Sequence, residues 1–479
     1  MGHSTTICCA LLFALAADAA WAQSANSSMK TPATAAAGGA ARVGAPTRRP
    51  SAVQPAAYQT PAAPQGTPLP AEMAPAPGER VYYEGQPGGD PAFGDFGLGG
   101  QHADYSSPGY CGPGCYSCGM FVRAEYLLWG LKSLDLPPLV STSPQGTPFD
   151  EAGILGIDGT RILYGGQGVN SDVQSGGRLT LGWWIDPCRR LGVEGDYFAL
   201  GEAKDTFNRS STGDPILARP FYDVVEGQEN ALLVAFPGII GGQIQAEATT
   251  TFQGAGVRAI YNLACGDGCG NGWITCGPSP TGYRFDCLVG YRFLRVDDRL
   301  TVRENSVAVD GGDTFLISDL FDTENQFHGV DLGARWSFCQ GCWSVDILSK
   351  IALGNTTSRI RIDGSTTTIE DGDANTFSGG VLAQRTNIGN YEYDEFAVVP
   401  ELGITLGYQI NPCWRATLGY TFVYWSRVAR AGDQIDRGLN TGLLPPEDDP
   451  VSTHLRPEFV LKYTDFWAQG MNVGLEASW

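Results

Sequence analysis

From residue 120 onward, apolar side chains alternate with polar residues or glycine in repeated segments of about ten residues. Successive side chains of a β-strand point to opposite faces, so this period of two predicts strands that are apolar on one face only. Segments of this length are typical of tilted strands that cross a membrane. The pattern predicts ten strands: Phe121 to Trp129, Arg178 to Ile185, Leu191 to Phe198, Phe252 to Leu263, Tyr283 to Arg295, Val330 to Phe338, Trp343 to Leu353, Val398 to Ile410, Trp414 to Trp425 and Phe466 to Trp479.

The links between these strands alternate between two kinds. Three are short and rich in turn residues, at 186–188, 339–342 and 411–413, and the Gly- and Cys-rich link 264–282 is longer but similar in composition. The others are long, acidic and rich in threonine: 130–177, 199–251, 296–329, 354–397 and 426–465. Short periplasmic turns opposite long extracellular loops are typical of outer-membrane barrels, and an even strand count places both ends of the barrel in the periplasm. Hairpins around 154–164 and 234–244 would raise the count to twelve or more.

The sequence therefore predicts an all-β fold, an antiparallel transmembrane β-barrel of about 10 to 12 strands preceded by a disordered Pro/Ala-rich segment. The domains expected are a signal peptide over 1–22, a disordered linker over 23–110 and the barrel over 111–479. An apolar run before Ala20-Trp21-Ala22 suggests cleavage by signal peptidase, with a buried helix as the alternative. The linker lacks a sustained apolar period, so we expect an unstructured periplasmic spacer, with contact to the cell wall as the alternative.

Odd- and even-numbered residues of a strand point to opposite faces, and we call each of these two sets a parity. The apolar parity, for example Leu402, Ile404 and Leu406, is expected to face lipid. The opposite parity carries eight basic and eight acidic residues, which predicts a nearly neutral lumen. Paired charges would brace the wall, because side chains largely fill a small barrel; a charged constriction selecting ions is the alternative. The sixteen residues are Arg123, Glu125, Arg178, Glu194, Asp196, Arg258, Arg284, Asp286, Arg292, Asp331, Arg335, Asp346, Lys350, Glu401, Arg415 and Glu476.

The net charge of -20 argues against nucleic-acid partners, because phosphates are bound by surplus lysine and arginine. With the strand charges balanced, the excess acid is expected in the tail and in the loops, where it would form an acidic extracellular rim. Examples are Asp310, Asp313, Asp319, Asp322 and Glu324, and also Glu370, Asp371 and Asp373.

Eleven of the 13 cysteines follow the predicted signal peptide, and ten of these lie before the first strand or beside the short links. In an oxidising compartment disulfides are the first expectation, with metal binding and reactive or intermolecular thiols as alternatives. The ten are Cys111, Cys115, Cys118, Cys188, Cys265, Cys269, Cys276, Cys339, Cys342 and Cys413.

Catalytic motifs are not found in the sequence. Only four histidines are present, and no G-x-S-x-G, H-E-x-x-H or Walker-type loop occurs. The segment Asp371-x-Asp373-x-Asn375 begins like a calcium loop but lacks the glycine and the final glutamate. We therefore expect no enzyme activity, no cofactor and no metal.

Three features together resemble a known family: the segment Phe121-Val122-Arg123-Ala124-Glu125-Tyr126-Leu127-Leu128-Trp129, the Cys-containing turns, and the closing strand from Phe466 to Glu476. They resemble the BBP7 group of outer-membrane β-barrel proteins of planctomycete bacteria, over roughly Cys111 to Trp479. The resemblance implies a porin-like barrel with no settled substrate and no catalytic residues. It also implies that the terminal aromatic residue, Trp479, is recognised by the barrel assembly machinery.

Three hypotheses for function follow, of which an outer-membrane hydrolase is the least favoured because histidines are few. The first is a porin-like or envelope-structural barrel with long acidic extracellular loops, embedded in outer-membrane lipid. The second is a surface-binding or adhesive protein that uses the barrel as an anchor and contacts surface ligands through its loops.

Overall fold

The computed structural model describes residues 119–186, 189–265, 282–448 and 452–479. The predicted signal peptide and Pro/Ala-rich linker lie outside these residues. Within the described residues, no helix is both long enough and apolar enough to cross a bilayer.

The described chain contains nineteen strands and three short 3₁₀ helices. The helices are Phe149–Glu151, Ala431–Gln434 and Thr441–Leu443. The strands are β1 (Met120–Leu131), β2 (Leu134–Asp135), β3 (Val140–Thr142), β4 (Arg161–Tyr164), β5 (Gly168–Val169), β6 (Val173–Trp184), β7 (Leu191–Leu200), β8 (Ala203–Ser211), β9 (Leu217–Asp223), β10 (Gln228–Ala235), β11 (Ile240–Cys265), β12 (Gly282–Ala308), β13 (Thr314–Gln340), β14 (Trp343–Glu370), β15 (Asp373–Ser378), β16 (Gly389–Asn411), β17 (Trp414–Val428), β18 (Gly438–Leu439) and β19 (Thr464–Ser478).

Ten of these strands form a closed antiparallel ring. The ring runs β1, β6, β7, β11, β12, β13, β14, β16, β17 and β19, and the last strand pairs with the first. All ten predicted strands are present, so the predicted barrel is confirmed. Strands β8 and β15 extend the same sheet to twelve strands by pairing with β11 and β14. The possible hairpins near 154–164 and 234–244 add no further strand to the ring; β4 and β10 belong to a separate five-stranded sheet, and residues 240–244 begin β11.

A band of exposed apolar side chains surrounds the ring. On β12 the outward residues are apolar from Tyr283 to Phe293, about ten residues or about 34 Å along the strand. At the usual tilt this corresponds to about 25 Å along the membrane normal, the height of the lipid-facing band of outer-membrane barrels. Exposed aromatic residues, including Trp183, Trp343 and Trp414, lie at one margin of the band. We call this margin the short-turn end and the opposite one the loop end.

The wall continues well beyond the apolar band at the loop end, over residues 240–252, 294–308, 314–327 and 354–370 of β11 to β14. We call this part the wall extension. The expectation that 296–329 and 354–397 form long loops was therefore wrong. The link between β12 and β13 is only residues 309–313, so Asp319, Asp322 and Glu324 lie in β13 and not in a loop. The outward face here is polar, with ion pairs such as Arg299 to Asp322, which removes the apolar alternation that marks a membrane strand.

The remaining loop-end segments fold over the wall extension as a cap, formed by the described residues of 132–172, 212–239, 379–388 and 429–463. The cap carries the five-stranded sheet of β10, β9, β3, β4 and β18. Its apolar residues, among them Leu139, Leu217 and Phe221, pack with Leu300 and Val302 of β12 in one buried core. The loop end is thus closed by a folded layer with its own hydrophobic core.

The apolar band predicts how the wall responds to charge. Ile404 lies on the lipid face near the middle of β16 and is half exposed in the absence of lipid. Ile404→Arg should lower the free energy of unfolding in lipid vesicles by about 2–4 kcal/mol, because a guanidinium at the bilayer midplane loses its hydration. Urea titration of heat-modifiable gel migration measures this change.

The matched control is Asn390→Arg, at an exposed position on the same strand beyond the apolar band. Its unfolding free energy should stay within about 0.5 kcal/mol of the unaltered chain. Equal losses in the two variants would contradict the assignment of the band.

Candidate functional site: the barrel lumen

The inward residues of β12 change character with height, from the short-turn end to the loop end. Charged side chains come first, with Asp286 and Arg292, and then apolar ones, with Leu294 and Val296. Beyond them a second buried polar level begins at Asp298, and the core shared with the cap follows at Leu300 and Val302. The lumen is therefore organised in layers, each of which is built by several strands at the same height.

The lowest layer is an ionic network formed by all sixteen residues of the charged parity. Each of the sixteen faces inward and takes part in at least one ion pair. Half of them are buried, and the others are only slightly exposed; Asp331 is 0% exposed and Arg258 4%. The formal charges of this layer, eight positive and eight negative, cancel.

Arg258 is the most highly connected member of the ionic network. Its Nε lies 3.1 Å from Oε1 of Glu194, and its Nη1 lies 3.1 Å from Oδ2 of Asp331. Its Nη2 donates to Asp196. Glu194 also accepts two hydrogen bonds of 2.8 Å from Arg335. One guanidinium thus joins β7, β11 and β13.

Smaller groups complete the ionic network. Arg178 binds both oxygens of Glu125, at 2.6 and 2.8 Å, in the bidentate geometry that guanidinium and carboxylate favour. Glu401 pairs with both Arg292 and Lys350. The three remaining sets are Arg123 with Glu476, Arg415 with Asp346, and Arg284 with Asp286.

The free space inside the ionic network is small. The cavity among these side chains has a volume of about 60 Å³ and also touches Trp129 and Phe198. A buried water needs about 10–15 Å³ of such volume, so the cavity has room for only a few water molecules. This is much less than the aqueous channel of a wide porin, which needs a larger strand number.

An aromatic layer lies directly above the ionic network. Trp129, Phe198, Phe252 and Phe466 form a chain of ring contacts with centroid distances of 5.4, 5.1 and 4.9 Å. Each indole N–H in the layer is satisfied: Trp129 donates to Asn472, and Trp425 donates to Thr356. These rings are at most 2% exposed, so the layer packs as a hydrophobic core inside the lumen.

We did not predict this aromatic layer from the sequence. A signal was present, because the inward parity of β1 changes from Arg123 and Glu125 to Leu127 and Trp129. The same change occurs on β13, from Asp331 to Phe327. A comparison of inward residues at equal heights would have indicated an apolar layer.

Buried polar residues on the inner wall extension attach the cap. Asp298 binds Arg430 and accepts a hydrogen bond from Thr250, and Asn325 exchanges hydrogen bonds with the backbone of Ala429. Asp319 binds Arg219. The prediction that Asp319 belongs to a solvated acidic rim was therefore wrong: it lies on the inward parity of β13 and is 0% exposed.

Four of the ten cysteines considered for disulfides lie within the described residues. Cys339 and Cys342 are disulfide-bonded, at the short link between β13 and β14. Cys265 and Cys413 have exposed thiols that form no disulfide with another described residue. Cys111, Cys115, Cys118, Cys188, Cys269 and Cys276 lie outside the described residues.

Trp479 lies at the short-turn end, where its backbone exchanges hydrogen bonds with Met120 across the seam between the first and last strands. Its side chain is exposed. Among the described residues, no group of three or more His, Cys, Asp or Glu side chains is arranged to hold a metal ion.

The ionic network predicts a large cost for removing its central cation. Arg258→Met leaves Glu194, Asp196 and Asp331 with less compensation in a water-poor interior. The free energy of unfolding should fall by about 3–5 kcal/mol, the usual effect of breaking a buried ion pair. Urea titration in lipid vesicles measures the change.

Arg361→Met is the matched control, because Arg361 pairs with Asp363 on the exposed outward face. That variant should change the unfolding free energy by less than about 1 kcal/mol. A small effect of both variants would show that the ionic network does not stabilise the wall.

Comparison with solved structures finds distant similarity to several proteins. The outer membrane protease OmpT of Escherichia coli is 7% identical, with a TM-score of 0.34, and the match covers 76% of this chain and 98% of that one. The CymD monoaromatic hydrocarbon channel is 10% identical, with a TM-score of 0.19 and coverages of 76% and 89%. A Pseudomonas aeruginosa FadL homologue is 11% identical, with a TM-score of 0.18 and coverages of 75% and 89%.

No curated protein matches the chain. A family model does match, over residues 121–479, which include all ten strands of the ring apart from the first residue of β1. The description of that family is "Putative beta barrel porin-7 (BBP7)". The chain therefore belongs to the BBP7 family of porin-like outer-membrane β-barrels.

Proposed function

We propose that this protein is a closed outer-membrane barrel with an envelope-structural role, which anchors and displays the wall extension and the cap at the cell surface. The observation that carries this proposal is the filling of the lumen at three successive heights. The ionic network, the aromatic layer and the core beneath the cap each occupy the interior. A solute would have to displace all three.

The ionic network favours bracing over ion selection. A selective constriction leaves charged groups available to the permeant ion. Here Arg258 and Glu194 each bind two or more partners within the wall, and the remaining members are paired. An ion that entered would compete with existing pairs in a space of about 60 Å³.

A surface-contact role is the second candidate, and the cap favours it. The wall extension raises the cap well above the apolar band, and about 14 residues of strand add about 45 Å of wall along the strand direction. Such a height is not needed to cross the membrane. It would bring the cap to partners outside the lipid surface, in which case the barrel serves as an anchor.

Several assignments belong to this proposal. The short-turn end would face the periplasm, together with the Pro/Ala-rich tail, which would reach toward the cell wall. The cysteines near that end would form disulfides in an oxidising compartment. Trp479 would be recognised by the barrel assembly machinery. No catalytic role is assigned, because the lumen carboxylates are all held by arginine or lysine.

Conductance tests the closed barrel directly. The purified full chain, reconstituted in planar bilayers, should produce no stepwise current above the protein-free bilayer, because buried apolar side chains of the aromatic layer occupy the lumen. Heat-modifiable gel migration of the same preparation shows that folded protein was inserted. Stable steps that increase with the amount of protein would reject the proposal in favour of a pore.

A variant pair tests whether the aromatic layer alone closes the lumen. Trp129→Ala combined with Phe466→Ala removes two rings of the aromatic layer, whereas Trp183→Ala removes an exposed ring on the lipid face. In a closed barrel both variants stay silent, because the ionic network and the cap remain. Current in the first variant alone would identify the aromatic layer as a gate.

Orientation is tested with an epitope inserted in the turn at 309–313, the tip of the wall extension. On intact cells an antibody should bind this epitope, because the proposal places the loop end outside. The control epitope follows Trp479 at the short-turn end and should be bound only after the outer membrane is permeabilised. The reverse pattern would invert the proposed orientation.

A further inference from the structure

The third cap attachment differs in charge balance from the others. Arg219 of β9 in the cap extends to the inner wall extension, where its Nη2 lies 2.5 Å from Oδ2 of Asp319 on β13. Its Nη1 lies 3.7 Å from Oε2 of Glu304 on β12. All three side chains are at most 2% exposed. Two carboxylates therefore share one guanidinium in a buried site.

Asp319 is the better satisfied of the two acids. Besides Arg219, it accepts hydrogen bonds from the backbone N–H groups of Val381 at 3.0 Å and Ala383 at 2.9 Å. These donors belong to the cap segment 379–388. Asp319 therefore joins two separate parts of the cap, β9 and 379–388, to one position on the wall.

Glu304 lacks comparable support. Its Oε2 has no hydrogen-bond partner among the described residues, and the same holds for Nε and Nη1 of Arg219. The residues paired with Glu304 on the two adjacent strands are apolar, Ile244 on β11 and Ile317 on β13, and the next inward residue along β12 is the buried Ser306. Arg219 and Asp319 are the charged groups that act on Glu304.

From this geometry we propose that Arg219, Asp319 and Glu304 form a proton-dependent latch, which holds the cap on the wall extension when Glu304 is protonated and weakens when Glu304 ionises. The protonated site contains one cation and one anion. Ionisation adds a second buried anion, which lies 3.7 Å from the Arg219 guanidinium compared with 2.5 Å for Asp319. The strain is relieved when β9 and 379–388 separate from the wall and water reaches Glu304.

The electrostatics of the site give the direction of the pH dependence. The pKa of Glu304 is raised from 4.5 to about 7, mainly because the carboxyl group is buried. The positive charge of Arg219 lowers this pKa, and the negative charge of Asp319 raises it. With the cap lifted, the carboxyl group regains an ordinary pKa. The closed state therefore binds the proton more tightly, and its advantage is fully present below about pH 4.5 and decreases as the pH rises to about 7.

The attachment of Arg430 to Asp298 serves as an internal control. It also joins the cap to the inner wall, and both side chains are nearly inaccessible. It contains one cation and one anion, with Thr250 as a further donor to the acid. Because the pair is balanced, the cap near Arg430 should show no comparable loss of attachment at high pH.

Hydrogen exchange of the full chain in lipid vesicles tests the latch. After correction for intrinsic exchange, opening at 217–223 and 379–388 should increase about tenfold from about pH 6 to about pH 8.5. This factor follows from a pKa of Glu304 of about 7 with the cap closed and 4.5 with the cap lifted. Glu304→Gln, which mimics the protonated acid, should abolish this increase and keep both segments protected. Segment 429–435 should stay protected at both pH values in each protein.

Glu324→Gln is the matched variant, because Glu324 pairs with Arg295 and Arg359 on the outward face of the wall extension. It should retain the full pH response. The latch is rejected if the unaltered chain opens equally at both pH values, or if Glu304→Gln responds like the unaltered chain. Neither result depends on conductance, so the latch and the closed-barrel proposal fail separately.

Discussion

Closure of the strand ring is the constraint on which the rest of the structure depends. Because β19 pairs with β1, half of the side chains of ten strands point into an enclosed space from which neither lipid nor bulk water can be reached sideways. Charged residues can occupy that space only where each finds a counter-charge. The sixteen residues around Arg258 meet this condition with eight charges of each sign. The same enclosure allows Trp129 and Phe466 to pack as a core in the middle of a membrane protein.

The ring strands could be predicted from the sequence because lipid imposes a strong contrast between their two faces. Leu402, Ile404 and Leu406 alternate with glycine, threonine and Glu401, and an environment that is apolar on one side of the strand selects that alternation. In the wall extension the outward face meets water instead. On β12 the pattern there includes Arg295, Asp297 and Arg299 outside and Asp298 and Glu304 inside. The contrast in polarity between the two faces is lost in the wall extension. Only the acidic composition of these segments remained as a signal, and it predicted loops.

The partners within the lumen could not be predicted, although parity already assigned its members to the inward face. Parity states which way Arg258 points, but its contact with Asp331 also depends on the registers of β11 to β12 and β12 to β13. Those registers depend on the length of the link 266–281 and of the turn at 309–313. The attachment of Asp319 to Arg219 is even harder to predict from the sequence, because it joins the wall to a segment a hundred residues away. Long-range pairing of this kind leaves no local pattern.

Charge balance separates the permanent parts of the molecule from the part that can move. In the ionic network every acid is matched, so opening the wall would expose unpaired charges of both signs to a low-dielectric interior, at large cost. The cap is attached by a balanced pair at Asp298 and by an unbalanced group at Asp319 and Glu304. Only in the unbalanced group does separation of the cap from the wall hydrate a carboxylate that lacks a counter-charge of its own. A surface layer held in this way can loosen at β9 and 379–388 while the aromatic layer and the barrel beneath it stay closed.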